Sequence, residues 1–258
     1  MDKPWFKRWF GESYKQLYPH RNVREAEAQA GFVLRALPVT PEWRILDIGC
    51  GQGRHLEIMR GLGHRHCLGL DLSLPLLRDA RAAGLGVARG DMRRLPFRPG
   101  GFDLVTSFFT SFGYFATFAE DVEALSQFVS MLKPRGYLFL DLINKDHLLA
   151  RLVPQDCKHV SGSEVTQRRR VEAPVSADGQ VVVIKEIEIR KAGGEVEKFE
   201  ERVRLYGAED MRALMEKFSL SLIGTYGDES GAPYHPVKSP RMAMLLQTQA
   251  SPQGSGAA

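Results

Sequence analysis

The stretch Ile45-Leu46-Asp47-Ile48-Gly49-Cys50-Gly51-Gln52-Gly53-Arg54-His55 decides the fold. An apolar run from Arg44 to Ile48 predicts a strand, three alternating glycines break it, and a helix through Leu62 follows. Glycine carries no Cβ, so the backbone can turn tightly at positions 49, 51 and 53 and a ligand can lie directly on it. The helix opening behind the turn offers free N–H groups and the positive end of its dipole. Asp71 ends the next strand, residues 66–71, where a carboxylate can accept two hydrogen bonds from a ribose diol.

Working downstream, Ser73 caps a helix that closes at Gly84, and residues 85–90 and 102–108 read as a third and a fourth strand. Thr117 and Glu120 form a capping box for a helix whose stripe Val122, Leu125, Val129 and Leu132 is expected to be buried before Pro134. Tyr137 to Leu142 is the fifth strand. Strands alternating with helices predict an α/β fold with a doubly wound, mainly parallel sheet. The pattern then changes. VTQRRRVEA, VVVIKEIEIR and VEKFEERVRLY, separated by the turn dipeptides Asp178-Gly179 and Gly193-Gly194, predict three or four antiparallel strands inserted after the fifth. A helix over 208–218 and strands over 219–226 and 241–248 return to the main sheet, completing seven strands.

Upstream, Trp5, Phe6, Trp9, Phe10, Tyr14, Leu17 and Tyr18 recur at the spacing of one helical face, and Asn22 with Glu25 caps a second helix ending at Pro38. The expected division is a helical lid over 1–38, a ligand-binding α/β domain over 39–150 and 207–250, an inserted sheet over 151–206, and a disordered Gly/Ser/Ala-rich tail over 251–258.

Composition narrows the class. The chain of 258 residues carries a net charge of +4, short of the one-faced basic cluster that marks a nucleic-acid surface. Cys50, Cys67 and Cys157 are too scattered for a disulfide framework or a metal pair, so no metal and a reducing cytoplasm are expected. No apolar run approaches the ~20 residues of a membrane span, and the first residues lack a secretory signal. A dinucleotide dehydrogenase would need glycine three positions after Gly51, where Arg54 stands.

Asp47 to Gly53 resembles the first motif, D/E-x-G-x-G-x-G, of class I S-adenosylmethionine-dependent methyltransferases. Asp71 in LGLDLS is similar to that family's ribose-binding acid, and Gly90-Asp91-Met92 to its adenine-recognising pair. FDLVTSFFTSFGYF and LKPRGYLFLDLIN resemble its fourth and fifth strand motifs, with Arg135 where glycine is commoner. The resemblance spans about residues 40–145 and implies S-adenosylmethionine as cofactor. It implies cofactor contacts from Tyr14, Tyr18, Asp47, Gly49, Gly51, Gly53, Arg54, Asp71, Leu72, Asp91, Met92 and Phe108, with Arg54 or His55 near the methionine carboxylate. Phe108, Thr110, Ser111, Phe112 and Tyr114 are expected on the methyl side.

Methyl transfer is an in-line displacement whose reactivity comes mainly from the cofactor, and a base is needed only for a hydroxyl or a protonated amine. Tyr114 and His147 are the catalytic candidates; Asn144, Tyr234, His235 and the run Arg168 to Arg170 are further polar groups that could meet an acceptor. A small-molecule amine, hydroxyl or carbon acceptor is expected. RNA methylation is the rival, opposed by Ser107-Phe108-Phe109-Thr110 standing where an Asn/Asp-Pro-Pro-aromatic tetrapeptide would hold a base. A cofactor-binding, non-catalytic partner protein is a third reading. Edges of the inserted sheet could pair in a homodimer.

Overall fold

The computed structural model describes residues 4–18, 23–172 and 180–250. Asn22, the Asp178-Gly179 dipeptide and the 251–258 tail lie outside them.

The cofactor-type repeat begins with β1 (Ile45–Ile48), α4 (Arg54–Gly61), β2 (Cys67–Asp71), α5 (Leu74–Ala82) and β3 (Val87–Arg89). It continues with β4 (Phe102–Ser107), α6 (Phe118–Met131) and β5 (Leu132–Ile143). All four residues of β1 are buried, as a strand covered on both faces must be. After the insertion, α8 (Ala208–Lys217), β10 (Leu220–Tyr226) and β11 (Arg241–Thr248) complete a seven-stranded sheet of order β10-β11-β5-β4-β1-β2-β3. Only the pairings of β11 with β5 and β10 are antiparallel. The order reverses at β1, between β4 and β2, which leaves a crevice at their carboxyl ends.

Ser73 caps α5 through the Leu76 N–H, and the Thr117–Glu120 capping box opens α6 as its spacing predicts. The α6 stripe is rotated from expectation. Ala124, Phe128 and Met131 are buried with Leu125, whereas Val122 and Val129 are only partly covered.

The insertion opens with α7 (Lys145–Ala150), a helix the sequence pattern did not reveal. Four antiparallel strands follow in simple succession: β6 (Gln155–Val160), β7 (Ser163–Glu172), β8 (Val181–Arg190) and β9 (Val196–Leu205). A buried knot fastens this sheet to the main body. Asp121 on α6 accepts from Arg204 Nε and Tyr206 Oη, both at 2.8 Å, and the Arg204 N–H donates to the Gly113 carbonyl at 2.7 Å.

The aromatic N-terminal segment forms two short helices, α1 (Trp5–Trp9) and α2 (Glu12–Leu17), broken at Phe10 and Gly11, instead of one continuous face. Their apolar side meets the inserted sheet, where Trp9 and Leu17 pack with Val165, Ile187, Ile189 and Phe199. The expected 1–38 unit therefore splits. Helix α3 (Val23–Ala36) packs Ala30, Phe32 and Val33 against Phe139 and Leu245 of the main sheet and belongs to its core. Among the described residues no helix is long and apolar enough to cross a membrane.

Candidate active site

A cavity of about 580 Å³ opens at the crevice, within the range of small-molecule sites. Its floor is the glycine turn. Gly49 adopts φ +77°, and a Cβ there would sit 2.6 Å from Ser111 Oγ, so bare backbone is required. Gly53, at φ +81°, forms the N-cap of α4 rather than the cavity wall.

Asp71 lines the floor and stitches it. Its Oδ2 accepts from the Gly51 N–H at 2.8 Å and its Oδ1 from the Ser73 N–H at 2.7 Å. Burial raises its pKa above the usual carboxylate value, opposed by those N–H bonds. Each oxygen keeps a lone-pair direction for a diol.

Asp47, expected as a cofactor contact, lies beneath the turn and not on the cavity wall. It is 1% exposed, its Oδ1 accepts from Thr106 Oγ1 at 3.0 Å, and its Oδ2 has no hydrogen-bond partner among the described residues. Burial, with Asp71 adding charge nearby, pushes its pKa up to about 7.

Leu72 after β2 and Asp91 and Met92 after β3 line the cavity on the side of the sheet edge. The Asp91 carboxylate is already gripped by Arg93, through Nε at 3.0 Å and Nη2 at 2.7 Å, and this pairing holds its pKa low. Arg54 and His55 after β1, and Phe108, Phe109, Ser111 and Tyr114 after β4, line the cavity further into the sheet. Phe109 and Thr110 both have positive φ, 52° and 60°, which marks a strained turn after β4.

Phe10 and Tyr14 close the cavity from above. Phe10 stacks on Tyr114 with ring centroids 5.7 Å apart, and Trp5 Nε1 donates to the Tyr114 carbonyl at 3.2 Å. Ser73 Oγ donates to the Phe10 carbonyl at 2.6 Å, and Lys15 Nζ reaches Asp79 at 3.0 Å, so the cover is tied to the cofactor side as well.

Several expected contacts lie elsewhere. Tyr18 is outside the cavity, its hydroxyl accepting from Lys185 Nζ at 3.0 Å within the aromatic cluster. His147 is on α7, its Nδ1 3.0 Å from the Val237 carbonyl, and does not line the cavity. Asn144 caps α7 and donates to the Pro236 and Ser239 carbonyls, both at 2.7 Å, which secures the loop that holds Tyr234 and His235. Phe112 is core, packed on Phe128 and Tyr206, and Thr110 points to Arg241. Arg169 and Arg170 pair with Asp156 and Glu172 on the inserted sheet. Sequence reasoning missed Arg89 on the cavity wall, the buried residues Gln29 and Asp141, and the half-buried Arg241; no local period marks such long-range partners.

The residues fit S-adenosylmethionine. A Cβ-free cradle faces an acid suited to the ribose, and the only carboxylates on the described wall are Asp71 and Asp91. The two sheets match the methyltransferase fold, and their cavity suits S-adenosylmethionine.

Residues 45–136 match the family described as Methyltransferase domain. The Bos taurus protein named "Probable tRNA methyltransferase 9B" is 35% identical over 96 residues, 37% of this chain and 20% of that protein. The dTDP-3-amino-3,4,6-trideoxy-alpha-D-glucopyranose N,N-dimethyltransferase of Streptomyces venezuelae is 37% identical over 107 residues, 40% of this chain and 44% of its own length. The first curated relatives are matched over only 20% to 62% of their lengths. Among solved structures, the CcbJ methyltransferase of Streptomyces caelestis superposes with a TM-score of 0.77 at 15% identity, covering 94% of this chain and 98% of the other.

Proposed function

We propose that the chain transfers the methyl group of S-adenosylmethionine to a small-molecule acceptor, an amine, hydroxyl or carbon centre. The observation that carries this reading is the cover. Phe10 and Tyr14 line the cavity, and the α1–α2 segment that carries them is seated on the inserted sheet, which suits a closed pocket for a compact acceptor. The cofactor supplies the electrophilic carbon. The chain holds it on the Gly49–Gly53 turn, excludes water with the aromatic roof and orients the nucleophile; such positioning can supply roughly 7–11 kcal/mol of a barrier. Tyr114, which lines the cavity and stacks on Phe10, is the side chain we assign to the acceptor, and no obligatory base is invoked.

The Streptomyces venezuelae relative's name, an amino-sugar N,N-dimethyltransferase, favours a small amine-bearing acceptor. The tRNA-methyltransferase relative favours RNA, over a match that takes in only 37% of this chain. Radiolabelled methyl transfer from S-adenosylmethionine, assayed on panels of amines and phenols and on total tRNA, separates the two. Turnover on small acceptors and none on tRNA is expected; turnover confined to tRNA would sink the small-molecule reading. Tight cofactor binding with turnover on neither would point to the non-catalytic partner. Three free thiols suit a reducing cytoplasm, and the edge strand β6 could take a second copy.

A further inference from the structure

At the His55 wall of the cavity ends a largely buried chain of side chains from four distant elements. Asp141, 2% exposed on β5, is held by three donors: Arg241 Nε at 2.7 Å, the Phe109 N–H at 3.0 Å and Gln29 Nε2 at 3.2 Å. Arg241 also donates through Nη2 to Thr110 Oγ1 at 2.8 Å, so this ion pair pins both residues of the strained turn after β4. Gln29 Oε1 then meets His55 Nε2 at 2.8 Å. His55 lies flat on Phe108, with ring centroids 3.8 Å apart, and lines the cavity.

Hydrogen-bond polarity runs one way along this chain. A carboxylate paired with a guanidinium is only an acceptor, so it must receive the NH₂ of Gln29. That leaves Gln29 Oε1 facing His55, and an amide oxygen also only accepts. His55 must therefore donate from Nε2, which places the lone pair on Nδ1. Burial and the neighbouring Arg54 charge push the His55 pKa down to about 3, which agrees with a neutral ring.

We infer that Arg241, Asp141 and Gln29 act as positioning residues that fix His55 as the neutral Nε2–H tautomer, so that Nδ1 is a preset acceptor for the α-ammonium of S-adenosylmethionine. The next residue, Arg54, whose guanidinium lies over the Phe109 ring, takes the carboxylate of the same zwitterion. Two consecutive residues of the first turn of α4 thus divide one amino-acid head group by charge. The direction of the cavity supports this placement. Asp91 and Met92 follow β3, Asp71 ends β2 and Arg54 with His55 follow β1, and these strands lie side by side in the order β3-β2-β1, the order of adenine, ribose and amino acid in the cofactor.

The inference rests on the cofactor reading, and the test separates the two. Nitrogen-15 spectra of histidine-labelled full-length protein, with His55 assigned by comparison with His55→Gln, report which ring nitrogen carries the proton. A protonated Nε2 and a bare Nδ1 are expected. S-adenosylhomocysteine should shift the Nδ1 resonance, whereas 5′-methylthioadenosine, which lacks the amino-acid head, should leave it in place. Gln29→Met should produce a mixture of tautomers and weaken S-adenosylhomocysteine about tenfold, with methylthioadenosine affinity unchanged. A proton on Nδ1 in the wild type, or S-adenosylhomocysteine bound with Nδ1 unmoved, overturns the inference. Failure of S-adenosylhomocysteine to bind in calorimetry instead overturns the cofactor reading.

Discussion

Asp71 serves the ligand and the loop with the same two oxygens, since it accepts from Gly51 and Ser73 before any ribose arrives. Asp71→Ala should therefore weaken S-adenosylmethionine by about 1–3 kcal/mol in calorimetry, and it should also free the Gly51 N–H, which hydrogen exchange would record. Unchanged affinity would remove Asp71 from the site. Gly49→Ala places a methyl group against Ser111 in a left-handed conformation, and a loss of about 1–3 kcal/mol of stability in denaturant titration is expected. Both positions were legible because a turn and the acid after the next strand are matters of spacing. Tyr18 and His147 were misplaced for the opposite reason. A side chain's direction depends on partners far along the chain, Lys185 for the one and Val237 for the other, and spacing carries no trace of them.

Among the elements, α1 and α2 show how tertiary packing refines a periodic reading. The aromatic spacing was right as a helix signal, but Gly11, at φ −138° and ψ −153°, interrupts the helix. The two pieces then turn Trp9 into the inserted sheet and Phe10 towards the cavity. Trp9 is 0% exposed and its indole N–H reaches Glu201, so Trp9→Ala should cost about 3–5 kcal/mol locally. Faster hydrogen exchange over residues 5–17 and weaker cofactor binding are expected, with strands β1, β4 and β5 still protected. Uniform loss of protection across the main sheet would show that these helices are part of its folding core and not a separately docked cover.

At the scale of the whole molecule, strand alternation announced the doubly wound sheet, and the change of pattern after β5 announced the second one. What joins them was hidden: Asp121, Arg204 and Tyr206 lie on separate elements and meet only in three dimensions. Burial lifts Asp47 to about 7 and Asp121 to about 6, from an ordinary 3.8. A carboxyl raised on folding binds its proton more tightly folded than unfolded. Its contribution to stability is complete below about pH 4 and is lost as pH rises through the folded value. Denaturant titrations of the cofactor-free protein should thus give Asp47→Asn a shallower decline in stability between pH 5 and 8 than the wild type. Parallel slopes would exclude Asp47 as the source. Finally, β11 lies inside the sheet, between β5 and β10, although it comes last in sequence among the described strands. A nascent polypeptide still on the ribosome without residues 241–248 lacks both that central strand and the guanidinium that steadies the turn at Phe109. Cofactor capture accordingly has to wait until residues 241–248 have been made and paired.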